Sequence, residues 1–436
     1  MTAPVIGFAG LTHLGLNMAA ASAARGFEVV GYQDDPVVVD AINAGRLPIA
    51  EPGLDGMIAE NRERLIFTSD DTKLADCGIV YISVDVPTDD DGQSDLAPIT
   101  DIIATTERAM RDDALLVVLC QVPPGFTRTL SRDPARLYYQ VETLIFGRAV
   151  ERAMHPERFI VGCAKPDGAI DSRLETYLGA FGCPILPMQY ESAELAKISI
   201  NMCLVASVGV ANTMAEVCEH VGADWSEIIP ALRLDARIGP KSYIAPGLGL
   251  AGGNLERDLA TVIGLADRHA TDAGIVHAWL ANSRHRKDWC FRVLQDEVLA
   301  ANAGAAIGLL GLAYKEDTHS TKNAPSLMLL SHLEASQVTA HDPKVRAADI
   351  DPDLGAADAP LDACDGADAV VIITPWPAYR GLIPVEIAGR MRGRTLIDPF
   401  GLLPSAAVTA AGLDHFVLGR GPQRAETANA KEVNHA

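Results

Sequence analysis

The start of the chain constrains its fold more than any other stretch. Val5-Ile6-Gly7-Phe8-Ala9 reads as a buried strand, Gly10 to Arg25 as a turn and helix, and Gly26 to Tyr32 as a second strand. A strand–helix–strand opening of this kind implies a parallel sheet with helices on its faces. Further strand candidates are Gly78 to Val84, Ala114 to Cys120 and Phe159 to Gly162. From about Ser192 to Leu294 the pattern turns helical, with an unusually apolar stretch from Met202 to Met214. Strand signals return at Ala305 to Leu310, Val338 to His341, Ala369 to Thr374 and Thr395 to Asp398. The expected fold class is therefore α/β: two parallel-sheet domains joined by a central all-helical domain. The expected boundaries are 1–188, 189–297 and 298–419, followed by a polar, Ala-rich tail (420–436) expected to be disordered.

A chain of 436 residues is too long for one ordinary core, which agrees with several domains. Its net charge of −21 argues against nucleic acid or an anionic membrane as a general partner. A phosphate-bearing ligand is still allowed, because a few local cations and helix N-termini can hold one. No apolar run is expected to approach the roughly 20 residues that a bilayer requires. The eight cysteines are scattered without C-x-x-C spacing, and no His/Cys cluster has metal-ligand spacing. With no charged, cleavable leader ahead of the first strand, a cytoplasmic protein with reduced thiols and no metal is expected.

Gly10-Leu11-Thr12-His13-Leu14-Gly15 stands where the G-x-G-x-x-G turn of a Rossmann unit belongs. Gly10 permits the tight turn and Gly15 the close helix–strand packing. The middle glycine, which lets backbone approach a pyrophosphate, is Thr12, and Leu14 completes the candidate cofactor turn. After the second strand, where an acid would take the ribose hydroxyls, stands Gln33, a weaker acceptor than a carboxylate. No basic residue lies near Gln33 to receive a 2′-phosphate, so NAD is expected rather than NADP. A Rossmann-like unit that has lost its cofactor is the bland alternative.

Lys197 and Asn201 are spaced i, i+4 and share one helix face. On so apolar a helix two polar groups need partners, which a site would supply. A solvated stripe is the alternative, and it is the reading preferred for Arg284-His285-Arg286-Lys287.

Five segments, in order, resemble the UDP-glucose/GDP-mannose dehydrogenase family. They are Ala44-Gly45-Arg46-Leu47-Pro48-Ile49-Ala50-Glu51-Pro52-Gly53-Leu54; the loop Val122-Pro123-Pro124-Gly125; Ser192-Ala193-Glu194-Leu195 with Lys197 and Asn201; Asp235-Ala236-Arg237-Ile238-Gly239-Pro240-Lys241; and Gly311-Leu312-Ala313-Tyr314-Lys315-Glu316-Asp317-Thr318. The resemblance implies an N-terminal NAD domain, a helical middle that builds a homodimer, and a C-terminal domain for the nucleotide diphosphate. It also implies oxidation of a sugar C6 alcohol to a carboxylate with two NAD, the aldehyde being held by a cysteine.

Carried over residue by residue, the resemblance makes Lys197 the group that stabilises the alkoxide. Asn201 orients the hydroxyl or a water, Asp258 is the acid/base, and Glu142 helps hydrolysis of a thioester. The family cysteine aligns with Asn254, and a carboxamide cannot add to an aldehyde as a thiolate does. The family's S-T-V-P reads Cys120-Gln121-Val122-Pro123, and its G-T-P reads Asp85-Val86-Pro87. Gln121, Val86 and Pro87 thus become cofactor candidates. Arg237, Lys241, Gly252, Arg257, Lys315 and Lys322 become substrate candidates, Arg237 as a residue that reaches a neighbouring subunit. Lys322 replaces a family arginine, turning a bidentate grip into a point charge.

The reading that follows is an NAD-dependent oxidoreductase acting on the primary alcohol of a nucleotide-linked substrate, by default a UDP-sugar, whose product either stays at the aldehyde or is oxidised slowly further as the aldehyde hydrate. Two alternatives stand beside it: a dehydrogenase of a non-sugar nucleotidyl alcohol, and a catalytically silent nucleotide-binding homologue.

Overall fold

The apolar runs at the start of the chain close into a parallel sheet buried on both faces. A computed structural model describes residues 3–86, 95–165, 170–334 and 337–426. They fold as two compact units, residues 1–200 and 201–436. The first unit holds eight strands: β1 (Ile6–Ala9), β2 (Val29–Tyr32), β3 (Leu65–Thr68), β4 (Ile79–Ile82), β5 (Leu115–Val118), β6 (Leu137–Gln140), β7 (Phe159–Cys163) and β8 (Ile185–Gln189). Their order is β3-β2-β1-β4-β5-β6-β7-β8, and among the paired neighbours only β6 and β7 run antiparallel. Side chains alternate between faces along each strand. Ile6, Phe8, Ile79 and Tyr81 enter one core, and Ala9, Val80 and Ile82 enter the other.

The second unit takes most of the 32-residue helix Tyr190–Val221, which begins in the first unit. Helices Trp225–Leu234, Asn254–His269, Gly274–Lys287 and Trp289–Leu294 follow. Then comes a parallel sheet of β9 (Ile307–Leu310), β10 (Val338–His341), β11 (Gly355–Ala356), β12 (Ala369–Ile372), β13 (Thr395–Ile397) and β14 (Asp414–Phe416), in the order β11-β10-β9-β12-β13-β14.

The two sheets repeat one turn. Gly10 N–H donates to Tyr32 O at 2.9 Å, and Gly311 N–H donates to His341 O at 2.8 Å. Both glycines adopt positive φ, +102° and +110°. A Cβ on either would lie 2.4 Å from a side chain of the next strand's exit, Val84 or Thr374. Geometry after the first strand of each sheet therefore demands glycine at both places.

Three expectations are corrected. The helix Tyr190–Val221 is long and apolar enough, by length and composition, to cross a membrane, although no such run was anticipated. Buried Glu194, Asn201 and Asn212 along it, together with its apolar contacts to both units' cores, fit a helix packed within a folded protein. The run Arg284 to Lys287 is not simply a solvated face. Arg286 is fully buried, 3.4 Å from Glu216 and 3.2 Å from Glu219, and buried Lys287 lies 3.1 Å from Glu256. Their acidic partners sit on the neighbouring helices Tyr190–Val221 and Asn254–His269, which compensates for removing the charges from water. Residues 420–426, read as the start of a tail, are held: Gln423 pairs with His415, and Ala425 N–H donates to Asp414 at 2.9 Å. The remainder of that tail, 427–436, lies outside the described residues.

Gly10→Ala and Gly311→Ala should each cost roughly 2 to 4 kcal/mol, from backbone strain plus overpacking. Thermal unfolding followed by circular dichroism should then show the melting of the altered unit fall by about 4 to 16 °C.

Candidate functional site

The turn after β1 delivers a helix N-terminus to the carboxyl end of the first sheet. Helix His13–Ala24 starts after Thr12, and its first backbone bond within the helix is Leu16 N–H to Thr12 O. The N–H groups of His13, Leu14 and Gly15 precede that bond and are directed out of the helix. A Cβ on Gly15 would lie 1.9 Å from Gly10 O, so the close approach of turn and helix is intact. This turn fits the pyrophosphate of a dinucleotide.

The surroundings of the turn are altered. Thr12 donates its hydroxyl to Ser83 O at 3.1 Å. Asp85 is exposed near the turn, and partial desolvation raises its carboxyl above the ordinary range, opposed by nearby His13. Gln33 accepts from Leu11 N–H at 3.1 Å and donates to Asp34 at 2.6 Å, so its carboxamide braces the turn itself. The Leu14 side chain is buried in the core, leaving its backbone as the group for a cofactor. Val86 and Gln121 are half-buried at the ends of their strands' loops, and Pro87 lies outside the described residues.

His13 and Glu51 form a support beneath the turn. The His13 Nε2 lies 3.0 Å from Glu51, and its ring stacks on Phe146 with centroids 3.9 Å apart. Glu51 also accepts from Gly147 N–H at 3.0 Å and Ala149 N–H at 2.7 Å. The E-P-G-L segment thus fastens the loop after β6, which carries Glu142.

Lys197 and Glu142 meet in the first unit, Nζ to Oε2 at 3.5 Å, with side chains 16% and 20% exposed. One turn earlier on the same helix, Glu194 is buried and accepts from Gly125 N–H at 2.6 Å and Thr127 N–H at 2.8 Å. It holds the Val122-Pro123-Pro124-Gly125 loop. Burial raises the Glu194 carboxyl above its ordinary range, opposed by its bonds to Thr127 and Gly125.

In the second unit, buried Asn201 donates to buried Asp258 at 2.5 Å, and Arg257 Nε lies 3.6 Å from the other Asp258 oxygen. Asn254 is exposed and opens the helix Asn254–His269, after Gly252 and Gly253 at φ +83° and +92°. Gly252 N–H donates to Lys322 O at 3.0 Å. A Cβ on Gly252 would lie 2.7 Å from the Tyr314 ring, over which Lys315 Nζ sits 5.7 Å from the centroid. Gly252, Lys315 and Lys322 are therefore brought together. Arg237 and Lys241 are exposed, Arg237 being paired with Asp235 at 2.6 Å.

Burial pushes Cys77 and Cys364 up to about 12, and Cys120 and Cys290 higher still. Sequence reasoning missed His13, Glu51 and Glu194 as working groups. All three stood inside quoted motifs, and their partners are remote in sequence.

Comparison with known proteins gives three family matches: the NAD binding domain of the UDP-glucose/GDP-mannose dehydrogenase family over residues 4–177, its central domain over 191–284, and its UDP binding domain over 308–405. A UDP-glucose 6-dehydrogenase of Pseudomonas aeruginosa is 30% identical, over 94% of this chain and 96% of its own. One of Rhizobium meliloti is 28% identical, over 94% and 98%. Among solved structures, a UDP-glucose dehydrogenase of Pyrobaculum islandicum has a TM-score of 0.79 at 25% identity, covering 91% of this chain and 94% of its own. A UDP-D-ManNAc dehydrogenase of Pyrococcus horikoshii shares the fold with a TM-score of 0.82 at 24% identity, covering 96% and 99%.

Glu194→Ala should leave two N–H groups of the Val122–Gly125 region without their acceptor, at about 1 to 3 kcal/mol each. The expected result is a lower melting temperature, read by differential scanning calorimetry, with faster amide exchange at Gly125 and Thr127.

Proposed function

The chain belongs to the UDP-glucose/GDP-mannose dehydrogenase family, NAD-dependent oxidoreductases acting on CH–OH groups, and from that premise we propose that it oxidises the primary alcohol of a UDP-linked sugar and releases the aldehyde. What supports the second half is Asn254, exposed at the start of its helix, at the position that the sequence resemblance assigns to a cysteine. A carboxamide forms neither a thiohemiacetal nor a thioester, so nothing at that position retains the aldehyde for a second oxidation. The balanced reaction is one alcohol and one NAD giving one aldehyde, one NADH and one proton.

NAD, when bound, accepts the hydride. The Lys197 ammonium stabilises the alkoxide oxygen, and Glu142 at 3.5 Å holds that ammonium in place. Asn201 orients the hydroxyl or a water, and Asp258, to which its amide is bonded, takes the proton. Arg257, Lys241, Lys315 and Lys322 are the cations for the diphosphate, and Gly252 gives the loop its close approach. Arg237, exposed and paired with Asp235 in the single chain, is the residue assigned to reach a neighbouring subunit.

A homodimer is part of the proposal. Val210, Met214, Val217 and Val221 are exposed at spacings of four, three and four along one helix. They form an apolar stripe suited to pairing with the same stripe of a second copy. A cytoplasmic site of action is part of the proposal as well, supported by eight cysteines scattered without C-x-x-C spacing.

Purified protein with NAD and a panel of UDP-, GDP- and CDP-linked alcohols should form one NADH per UDP-sugar, with an aldehyde trapped by hydroxylamine. Two NADH with a carboxylate would sink the aldehyde proposal. Lys197→Ala should lower kcat by about 10²- to 10⁴-fold. Val217→Asp should convert the dimer to monomer in sedimentation velocity; an unchanged profile would place the interface elsewhere.

A further inference from the structure

We infer that Glu256 is a positioning residue for the diphosphate: its carboxylate ties the loop of Lys322 to the helix that begins at Asn254 and holds that cation beside Gly252 and Gly253. This deepens the proposed function and rests on the reading of Lys315 and Lys322 as cations for the diphosphate. All of these groups belong to the second unit.

The two oxygens of Glu256 have separate partners. Oε1 accepts from Lys287 Nζ at 3.1 Å, and Oε2 accepts from Asn323 Nδ2 at 2.6 Å. Lys287 closes the helix Gly274–Lys287, and Glu256 stands in the first turn of the helix Asn254–His269. Each charge therefore also meets the helix end that favours it. The Lys287 side chain is only 8% exposed and that of Glu256 22%. An ammonium so nearly buried needs its partner, which fixes one carboxylate oxygen and leaves the other aimed at Asn323.

Asn323 directly follows Lys322 and adopts φ +53°, a conformation that asparagine tolerates better than most residues. On the other side of the loop, Gly252 N–H donates to Lys322 O at 3.0 Å. The Lys322 stem runs past Gly253, where a Cβ would lie 3.2 Å from Cε. Lys322 is thus held twice, by its own carbonyl to Gly252 and through Asn323 to Glu256. A lysine is a point charge on a flexible stem, so its grip depends on where its backbone is held. A backbone already in place reduces the ordering that a bound diphosphate would otherwise impose.

The Asn323–Glu256 bond has a polarity that can be reversed. Asn323→Asp sets a second carboxylate against Glu256. Adding Glu256→Gln supplies an amide N–H for that carboxylate, keeps a carbonyl oxygen for Lys287, and restores the wild-type net charge. Asn323→Gly suits the positive φ, changes no charge and removes the bond.

The test is isothermal titration of UDP, and separately of NAD, into the full-length wild type, Asn323→Gly, Asn323→Asp and the double variant Glu256→Gln/Asn323→Asp. UDP should bind about fivefold more weakly to Asn323→Gly and about tenfold more weakly to Asn323→Asp. The double variant should return to within about threefold of wild type, the signature of two coupled side chains. NAD affinity should be the same in all four, because its turn lies in the first unit. A double variant that binds UDP no better than Asn323→Asp would overturn the inference, as would NAD affinity falling in parallel with UDP. Wild type that binds UDP alongside unaltered single variants would reject the inference alone. Wild type that binds no UDP would reject it together with the reading of the two lysines. Circular dichroism establishes that each variant is folded.

Discussion

A parallel sheet delivers its loops to the carboxyl ends of its strands, where backbone N–H groups leave the ladder and need new acceptors. In this protein buried or partly buried carboxylates take up that work. Glu51 receives Gly147 and Ala149, and Glu194 receives Gly125 and Thr127. In the second sheet, Asp342 receives Leu312, Ala313, Lys344 and Val345, with the Trp376 indole as well. The loops that carry Glu142 and the Val122–Gly125 segment are positioned through these acceptors. A loop left without its carboxylate would keep its sequence and lose its shape.

The same pressure explains how the two turns diverge. After β10, Asp342 stands where Gln33 stands after β2, each accepting from the turn that follows the first strand of its sheet. The aspartate takes two turn N–H groups and thereby closes the second turn on itself. Gln33 takes one. One backbone solution thus serves a dinucleotide turn in one sheet and a braced loop in the other, the difference lying in which side chain holds the donors.

Much of this was legible in the chain. The strand–turn–helix–strand opening, the long apolar helix and the return of strands after residue 305 follow from hydrophobic period. β3, β6 and β8 were not read, because four or five residues such as Leu137-Tyr138-Tyr139-Gln140 or the Pro187-bearing Ile185–Gln189 lack a clear run of branched apolar side chains. Arg286 was read as solvated because a charged run looks alike in water and against buried partners; Glu216 and Glu219 lie about seventy residues away. The pairing of Lys197 with Glu142, and of Asn201 with Asp258, likewise joins groups more than fifty residues apart.

By itself the sequence determined the class of fold, the glycines that the turns require, and the absence of a thiol at position 254. Those are properties of local backbone geometry and residue chemistry, which a linear order of side chains carries in full. Tertiary structure alone decided which carboxylate holds which N–H group. A hydrogen bond between remote residues depends on a few ångströms of placement, and only the packed sheets set that distance.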